Sequence, residues 1–260
     1  MTDLASFPAF LDRLATAASD SIMPHFRTAA SVENKGSKLF DPVTVADRSA
    51  EQAMRQLINV EYPDHGIDGE EFGTERADAE FVWVLDPIDG TRAFITGLPV
   101  WGTLIGLTQH GKPILGMMAQ PFTGERFAGD GKRAWYTGPG GGAPLQTRVC
   151  PMLDQASLFT TTPALFVGAE RVTYDRVEKA VRLPRYGCDC YAYCMVAAGH
   201  ADVVIEVGLH TYDIVALIPI IEGAGGQVTN WEGGSAANGG RVVASGDARL
   251  HDLVLAKLAG

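Results

Sequence analysis

Apolar residues recur at helical spacing over residues 4–27 (Leu4, Phe7, Phe10, Leu11, Leu14, Ala17, Ala18, Ile22), which predicts an opening amphipathic helix. A polar loop over 31–40, carrying Lys35, Gly36 and Lys38, separates it from a second helix near 48–60 that Asp47 is placed to cap. Residues 81–85, Phe-Val-Trp-Val-Leu, form an unbroken apolar run and predict a strand buried on both faces. That strand ends in a carboxylate, Asp86, and Pro87 has no N–H to continue the ladder. Residues 100–107 and 113–120 predict strands joined by a hairpin, and 125–148 continues in short strands. The Gly- and Pro-rich tract 137–144 reads as a long hairpin loop near a boundary between two halves.

The rhythm then changes. A strand over 157–161, a helix over 169–182, an apolar helix over 190–199 and a buried strand over 201–207 follow one another. Another helix starts near Tyr212-Asp213, with Pro219 inside it expected to kink or shorten it. Strands near Val228 and 242–245 and a last helix over 247–258 complete an alternation that marks this half as α/β. Asp68 falls where an apolar strand residue is expected, and the sequence gives no reason for it.

With 46% hydrophobic and 20% charged residues, the chain has the make-up of an ordinary globular protein of 260 residues. Its 21 basic and 31 acidic residues give a net charge of −10, which disfavours nucleic acid and anionic membrane as partners. No secretory signal opens the chain, and the uncharged stretch 93–109 is broken by Gly97, Pro99, Gly102 and Gly106, so it does not read as a membrane span. Cys150, Cys188, Cys190 and Cys194 lack a usual zinc spacing and read as buried thiols of a reducing, cytoplasmic compartment.

The strongest chemistry lies just past the buried strand. Asp86 and Asp89 are three residues apart, and the Gly-Thr that follows opens a short helical pattern whose first N–H groups favour a phosphate. Two carboxylates about 4 Å apart repel by roughly 4 kcal/mol at an effective dielectric near 20, and a phosphate adds to the conflict. A hard divalent cation held by oxygen ligands removes it, as Mg²⁺ does between carboxylates and a substrate phosphate. The plainer alternative is that Asp89 caps a helix and Asp86 ends a strand.

Taken together, Asp47, Gly69-Glu70-Glu71, Asp86-Pro-Ile-Asp-Gly-Thr91 and Tyr212-Asp213 with the later Glu222-Gly-Ala-Gly-Gly226 resemble the inositol monophosphatase family of Mg²⁺-dependent, lithium-sensitive phosphatases. The resemblance spans nearly the whole chain, in order. It implies a layered α-β-α-β-α sandwich of the inositol monophosphatase / fructose-1,6-bisphosphatase type. Residues 1–148 would form an α+β half with a six-stranded antiparallel sheet and most metal ligands, and 149–260 an α/β half supplying Asp213, with the site between them. By the same resemblance Glu70, Asp86 and the Ile88 carbonyl would hold one Mg²⁺, Asp86, Asp89 and Asp213 a second, and Glu70 would contribute to a weaker third. Gly90 and Thr91 would offer backbone N–H groups to the phosphate, Asp47 would orient the Thr91 hydroxyl, and Glu70 and Thr91 would serve a metal-activated water that attacks phosphorus directly. A homodimer is implied as well.

Within the family, Thr91-Arg-Ala-Phe and Cys188-Asp-Cys-Tyr-Ala-Tyr193 look most like the bacterial and plant histidinol-phosphate phosphatases, enzymes of histidine biosynthesis. Inositol phosphatases more typically carry Thr-Asn at the positions of Arg92 and Ala93, and a small residue at that of Asp189. Asp189 and Glu206 would face the substrate, where two carboxylates suit a leaving group bearing an ammonium and an imidazole. Arg92 would contact the phosphate or ester side. A helix cap for Asp189, a surface carboxylate for Glu206 and a simple ion pair for Arg92 are the alternatives. Competing functions are an inositol-1-monophosphatase or related phosphatase, and a catalytically idle relative acting as a regulatory binding protein; retention of the full ligand set speaks against idleness.

Overall fold

A computed structural model describes residues 6–28, 32–34 and 42–260. Of the polar loop expected over 31–40, only Val32–Asn34 falls among them, and Lys35, Gly36 and Lys38 lie outside. The opening helix α1 (Phe7–Ile22) buries Phe7, Phe10, Leu11, Leu14, Ala18 and Ile22 along one face. It ends earlier than its apolar spacing predicts because Pro24 lacks the N–H a further turn needs. Strands β1 (Val32–Asn34) and β2 (Pro42–Thr44) pair antiparallel. Helix α2 (Val45–Glu61) starts directly from β2, so Asp47 sits inside the first turn rather than capping from outside it. There its negative charge still favours the helix N-terminus.

The first sheet has eight strands: β3 (Gly66–Gly69), β4 (Gly73–Glu75), β5 (Phe81–Asp89), β6 (Gly102–Gln109), β7 (Lys112–Gln120), β8 (Glu125–Gly129), β9 (Ala134–Gly138) and β10 (Gly141–Pro144). From β5 to β10 the pairing is antiparallel throughout, six strands in chain order, and β3 then adds parallel to β5 with β4 at the edge. The tract 137–144 is not a long loop: Gly138 pairs with Gly141, leaving only Pro139-Gly140 as a tight turn. Asp68 pairs across to Thr74, whose hydroxyl donates to its Oδ1 at 2.7 Å, which explains a polar residue in that strand. Between β5 and β6 lies the short helix α3 (Thr91–Ile95).

The second sheet has the order β12-β11-β13-β15-β14, formed by β11 (Ser157–Thr160), β12 (Leu183–Tyr186), β13 (Val203–Leu209), β14 (Gln227–Asn230) and β15 (Gly240–Ser245). Its helices are α4 (Ala169–Glu178), α5 (Asp189–Ala197), α6 (Thr211–Ile214), α7 (Leu217–Gly223) and α8 (Ala248–Ala259). Helix α4 stops four residues short of the predicted end, and β12 follows where no strand is expected. Three hydrophobic clusters separate five layers. One lies between α1 and α2 and the first sheet, a second holds α5 and α7 between the two sheets, and a third lies under α4 and α8. Alternation along β13 makes this possible, since Val203 and Ile205 face the outer cluster and Val204 the central one.

The central layer reaches the first sheet along a row of glycines. Gly106, Gly116 and Gly129 are paired neighbours on β6, β7 and β8. A Cβ on Gly116 would overlap the Ala216 carbonyl oxygen, one on Gly106 would lie 2.7 Å from Val215 Cγ1, and one on Gly129 would lie 2.6 Å from Ile220 Cα. Backbone therefore seats on backbone, and Pro219 is accommodated in the first turn of α7, where no intrahelical donor is required. The chain breaks between α6 and α7 instead of kinking within one helix. No helix of the described residues is long and apolar enough to cross a membrane.

Candidate active site

The ladder between β5 and β6 runs as far as Asp86, is interrupted at Pro87, and resumes at Asp89 opposite Gly102. The irregularity puts Asp86 and Asp89 on either side of a bend, with the Pro87 carbonyl oxygen accepting the Thr103 hydroxyl at 2.8 Å. Gly90 then takes a φ of 83° to turn the chain into α3, and the Thr91 hydroxyl donates to the Ile88 carbonyl oxygen at 3.2 Å. From the other side of the molecule α6 brings Asp213, whose Oδ2 accepts the His210 N–H at 2.6 Å. Asp86, Asp89 and Asp213 offer carboxylate oxygens that all lie within 4.8 Å of one another.

This trio is held in an unfavourable state. Asp86 is 1% exposed, and burial together with the charges of Glu70, Asp89, Asp213 and Asp47 holds its carboxyl well above the usual carboxylate range. Burial does the same to Asp89, reinforced by Asp189 and Asp213 and opposed by the Cys190 N–H that Asp89 Oδ2 accepts at 2.7 Å. Asp86 Oδ1 is buried and has no hydrogen-bond partner among the described residues. A buried oxygen without a donor on Asp86, with two further carboxylates crowded against it, gives the surroundings a hard divalent cation requires, so the donor set fits Mg²⁺. Glu70 stands outside the trio, on the turn after β3, where its N–H donates to the Leu85 carbonyl oxygen at 3.2 Å beside Asp86. Asp47 is buried within reach of Asp86.

Asp189 also belongs to this neighbourhood. It opens α5 with a φ of 40°, a left-handed value that costs a non-glycine residue about 1–2 kcal/mol. It is the first helical residue, with Cys188 at the cap position, so helix capping does not account for it. A Cβ on Gly90 would lie 3.0 Å from its Oδ2, which places this carboxylate against the turn after Asp89. Asp189 Oδ1 accepts the Thr161 hydroxyl at 3.2 Å, and burial lifts its carboxyl above the usual range against the pull of Thr161 and Arg92. Arg92 itself is exposed on α3.

Glu206 is no surface carboxylate. It is 2% exposed, accepting the Thr161 N–H at 2.6 Å on Oε1 and the Thr160 hydroxyl at 3.1 Å on Oε2, so each oxygen has a donor within the protein. Burial pushes its carboxyl up to about 8 despite those bonds. Glu206 thus stands behind Asp189, linked to it through Thr161. Sequence reasoning missed Thr161, Cys190 and His210 because two of them act through backbone N–H groups and the third lies at the end of an ordinary strand.

Known proteins are similar to this chain over most of its length. Residues 3–259 match the profile of the inositol monophosphatase family. The chain is 45% identical over 269 residues to the bifunctional phosphatase IMPL2, chloroplastic, of Arabidopsis thaliana, covering 99% of this chain and 76% of that one. It is 33% identical to the histidinol-phosphatase of Mycobacterium tuberculosis across 84% of each chain. Among solved structures, an inositol monophosphatase from Zymomonas mobilis superposes with a TM-score of 0.88 at 40% identity, with 100% of both chains covered. Five layers, an acid trio at the end of β5 and a match running from residue 3 to residue 259 lead to one assignment: the chain belongs to the inositol monophosphatase family.

Proposed function

We propose that this protein hydrolyses L-histidinol phosphate to L-histidinol in a Mg²⁺-dependent reaction, with water attacking phosphorus directly. The broader class is firm: the family is one of phosphatases, and the chain is a phosphoric monoester hydrolase. The choice of substrate rests on one observation, the Asp189 carboxylate set against Gly90, which gives the site an acid where a cationic leaving group would be recognised. Two relatives named histidinol-phosphatase, at 33% and 34% identity, support it.

In this reading Glu70, Asp86 and the Ile88 carbonyl would hold one Mg²⁺, Asp86, Asp89 and Asp213 would hold a second, and Glu70 would contribute to a weaker third. Bound there, Mg²⁺ supplies Lewis acidity that neutralises the ester's charge and makes a nearby water acidic enough to act at neutral pH. The chain's own residues do the rest. Gly90 and Thr91 donate backbone N–H groups to the phosphate. Thr91 Oγ1 orients the attacking water, Glu70 takes its proton, and Asp47 steadies Thr91 from behind. Arg92 lies toward the ester side, and Asp189, braced through Thr161 by Glu206, accepts from the amino group of the leaving alcohol. The site lies between the 1–148 and 149–260 halves, and the protein acts as a cytoplasmic homodimer.

A panel of phosphate esters assayed with Mg²⁺ tests the substrate. L-Histidinol phosphate is expected to lead by kcat/KM, and Asp189→Ala to weaken it far more than a small neutral ester. A preference for myo-inositol 1-phosphate would overturn the choice in favour of the second reading, an inositol monophosphatase, which the 40% identity to the Zymomonas mobilis protein supports.

A further inference from the structure

Glu51, on α2, is 0% exposed and carries a charge that the reaction does not use. Its Oε2 accepts the Glu71 N–H at 2.7 Å and its Oε1 the Phe72 N–H at 3.2 Å, the two amides that directly follow Glu70. Arg55, one turn further along α2, donates Nε to Glu51 Oε1 at 2.7 Å, and the same guanidinium pairs with Glu75 Oε1 at 2.7 Å and with the Gly73 carbonyl. The buried pair thereby fastens α2 to the turn between β3 and β4, and Arg55 balances the charge that Glu51 brings inside.

Gly69 makes room for this. A Cβ there would overlap Glu51 Oε1 and lie 2.9 Å from an Arg55 nitrogen, so the carboxylate reaches the two amides only because residue 69 has no side chain. On the opposite side the Glu70 N–H is fixed to the Leu85 carbonyl, next to Asp86. Glu70 is therefore held at both ends, by β5 before it and by Glu51 after it.

We propose that Glu51 is a positioning residue for the metal centre: it fixes the backbone from which Glu70 projects and so sets how Glu70 and Asp86 share a cation. The inference rests on Glu70 being a Mg²⁺ ligand, but not on the identity of the substrate. Glu51→Gln tests it, because the amide turns an –NH₂ toward donors that need an acceptor while the shape is kept. Mg²⁺ is titrated calorimetrically into metal-free, substrate-free wild type, Glu51→Gln, Glu70→Gln and the double variant, with hydrogen exchange followed at the amides of residues 71 and 72.

Glu51→Gln is expected to raise the Mg²⁺ dissociation constant about tenfold and to speed exchange at both amides. The double variant should bind no more weakly than Glu70→Gln alone, since both changes disable one ligand. Gly69→Ala, which displaces the carboxylate without removing its charge, should move affinity the same way and carries the test if Glu51→Gln does not fold. Wild-type Mg²⁺ affinity in variants whose amides exchange faster would overturn the inference alone, as would additive losses in the double variant. A wild type that takes up no Mg²⁺ would overturn the metal reading and the inference together.

Discussion

Replacing Asp89 by Asn is expected to stabilise the metal-free protein while weakening its response to Mg²⁺. Asp86, Asp89 and Asp213 approach within 4.8 Å of one another. At that distance two full charges repel by about 3.5 kcal/mol at an effective dielectric near 20, so deleting one of the three charges removes two such pairs, roughly 7 kcal/mol were all ionised. Proton uptake by Asp86 and Asp89, both held above the usual carboxylate range, already relieves most of it. A gain of about 1–3 kcal/mol remains, worth about 2–4 °C in Tm for each kcal/mol in a chain approaching this length. Asn retains an oxygen to accept the Cys190 N–H, so the change isolates charge from geometry. The assay is scanning calorimetry in chelator and then in rising Mg²⁺. Wild type should climb by about 2.7 kcal/mol at a hundredfold excess over its dissociation constant, while the variant, left with the site of Glu70, Asp86 and the Ile88 carbonyl, climbs less, so that its metal-free advantage shrinks. A metal-free variant less stable than wild type, or one that climbs equally with Mg²⁺, refutes the reasoning.

Glu206 titrates near 8 in the fold, above its ordinary 4.5, so the folded state binds the extra proton and its stabilising effect fades as pH rises from about 4.5 through about 8. Glu206→Gln should flatten that decline in urea melts of metal-free protein at pH 5 and pH 8.5, and an unchanged slope would contradict the assignment. Thr161→Val removes the donor to Asp189 Oδ1 at nearly constant volume and leaves the backbone bond to Glu206; KM for L-histidinol phosphate should rise about three- to tenfold with kcat little changed. Equal effects on a neutral ester would show that Thr161 does not act through Asp189. Gly116→Ala should cost about 3 kcal/mol in denaturant melts, because the new methyl meets the Ala216 carbonyl, and a loss under 1 kcal/mol would mean that the α6–α7 segment shifts easily.

Much of the site was legible in the chain. An apolar run ending in Asp86, a proline that interrupts the ladder and a second aspartate three residues on describe a local arrangement, and local arrangements are what sequence encodes most directly. Asp213 needed the family resemblance, since nothing local tells an aspartate of α6 that it will meet β5. Elements held by tertiary pairing were harder to read. Strands β4 and β12 are three and four residues long with weak patterns and exist because a neighbour offers a ladder. The glycine tract 137–144 reads as a loop until Gly138 finds Gly141 across a two-residue turn. Asp47 looked like a cap because the short β2 that delivers α2 leaves no sequence signal. Glu206 reads as a strand-end acid, and its burial depends on the two threonines of β11 and its following turn.

The row formed by Gly106, Gly116 and Gly129 bears on how this protein could change over time. A hydrogen is the largest substituent each can carry while Val215, Ala216 and Ile220 rest against them, so the track that delivers Asp213 tolerates almost no drift. New ester preferences would have to arise off that rail, at the first turn of α5 and the threonines facing it, where a side chain can be exchanged without moving the acid trio.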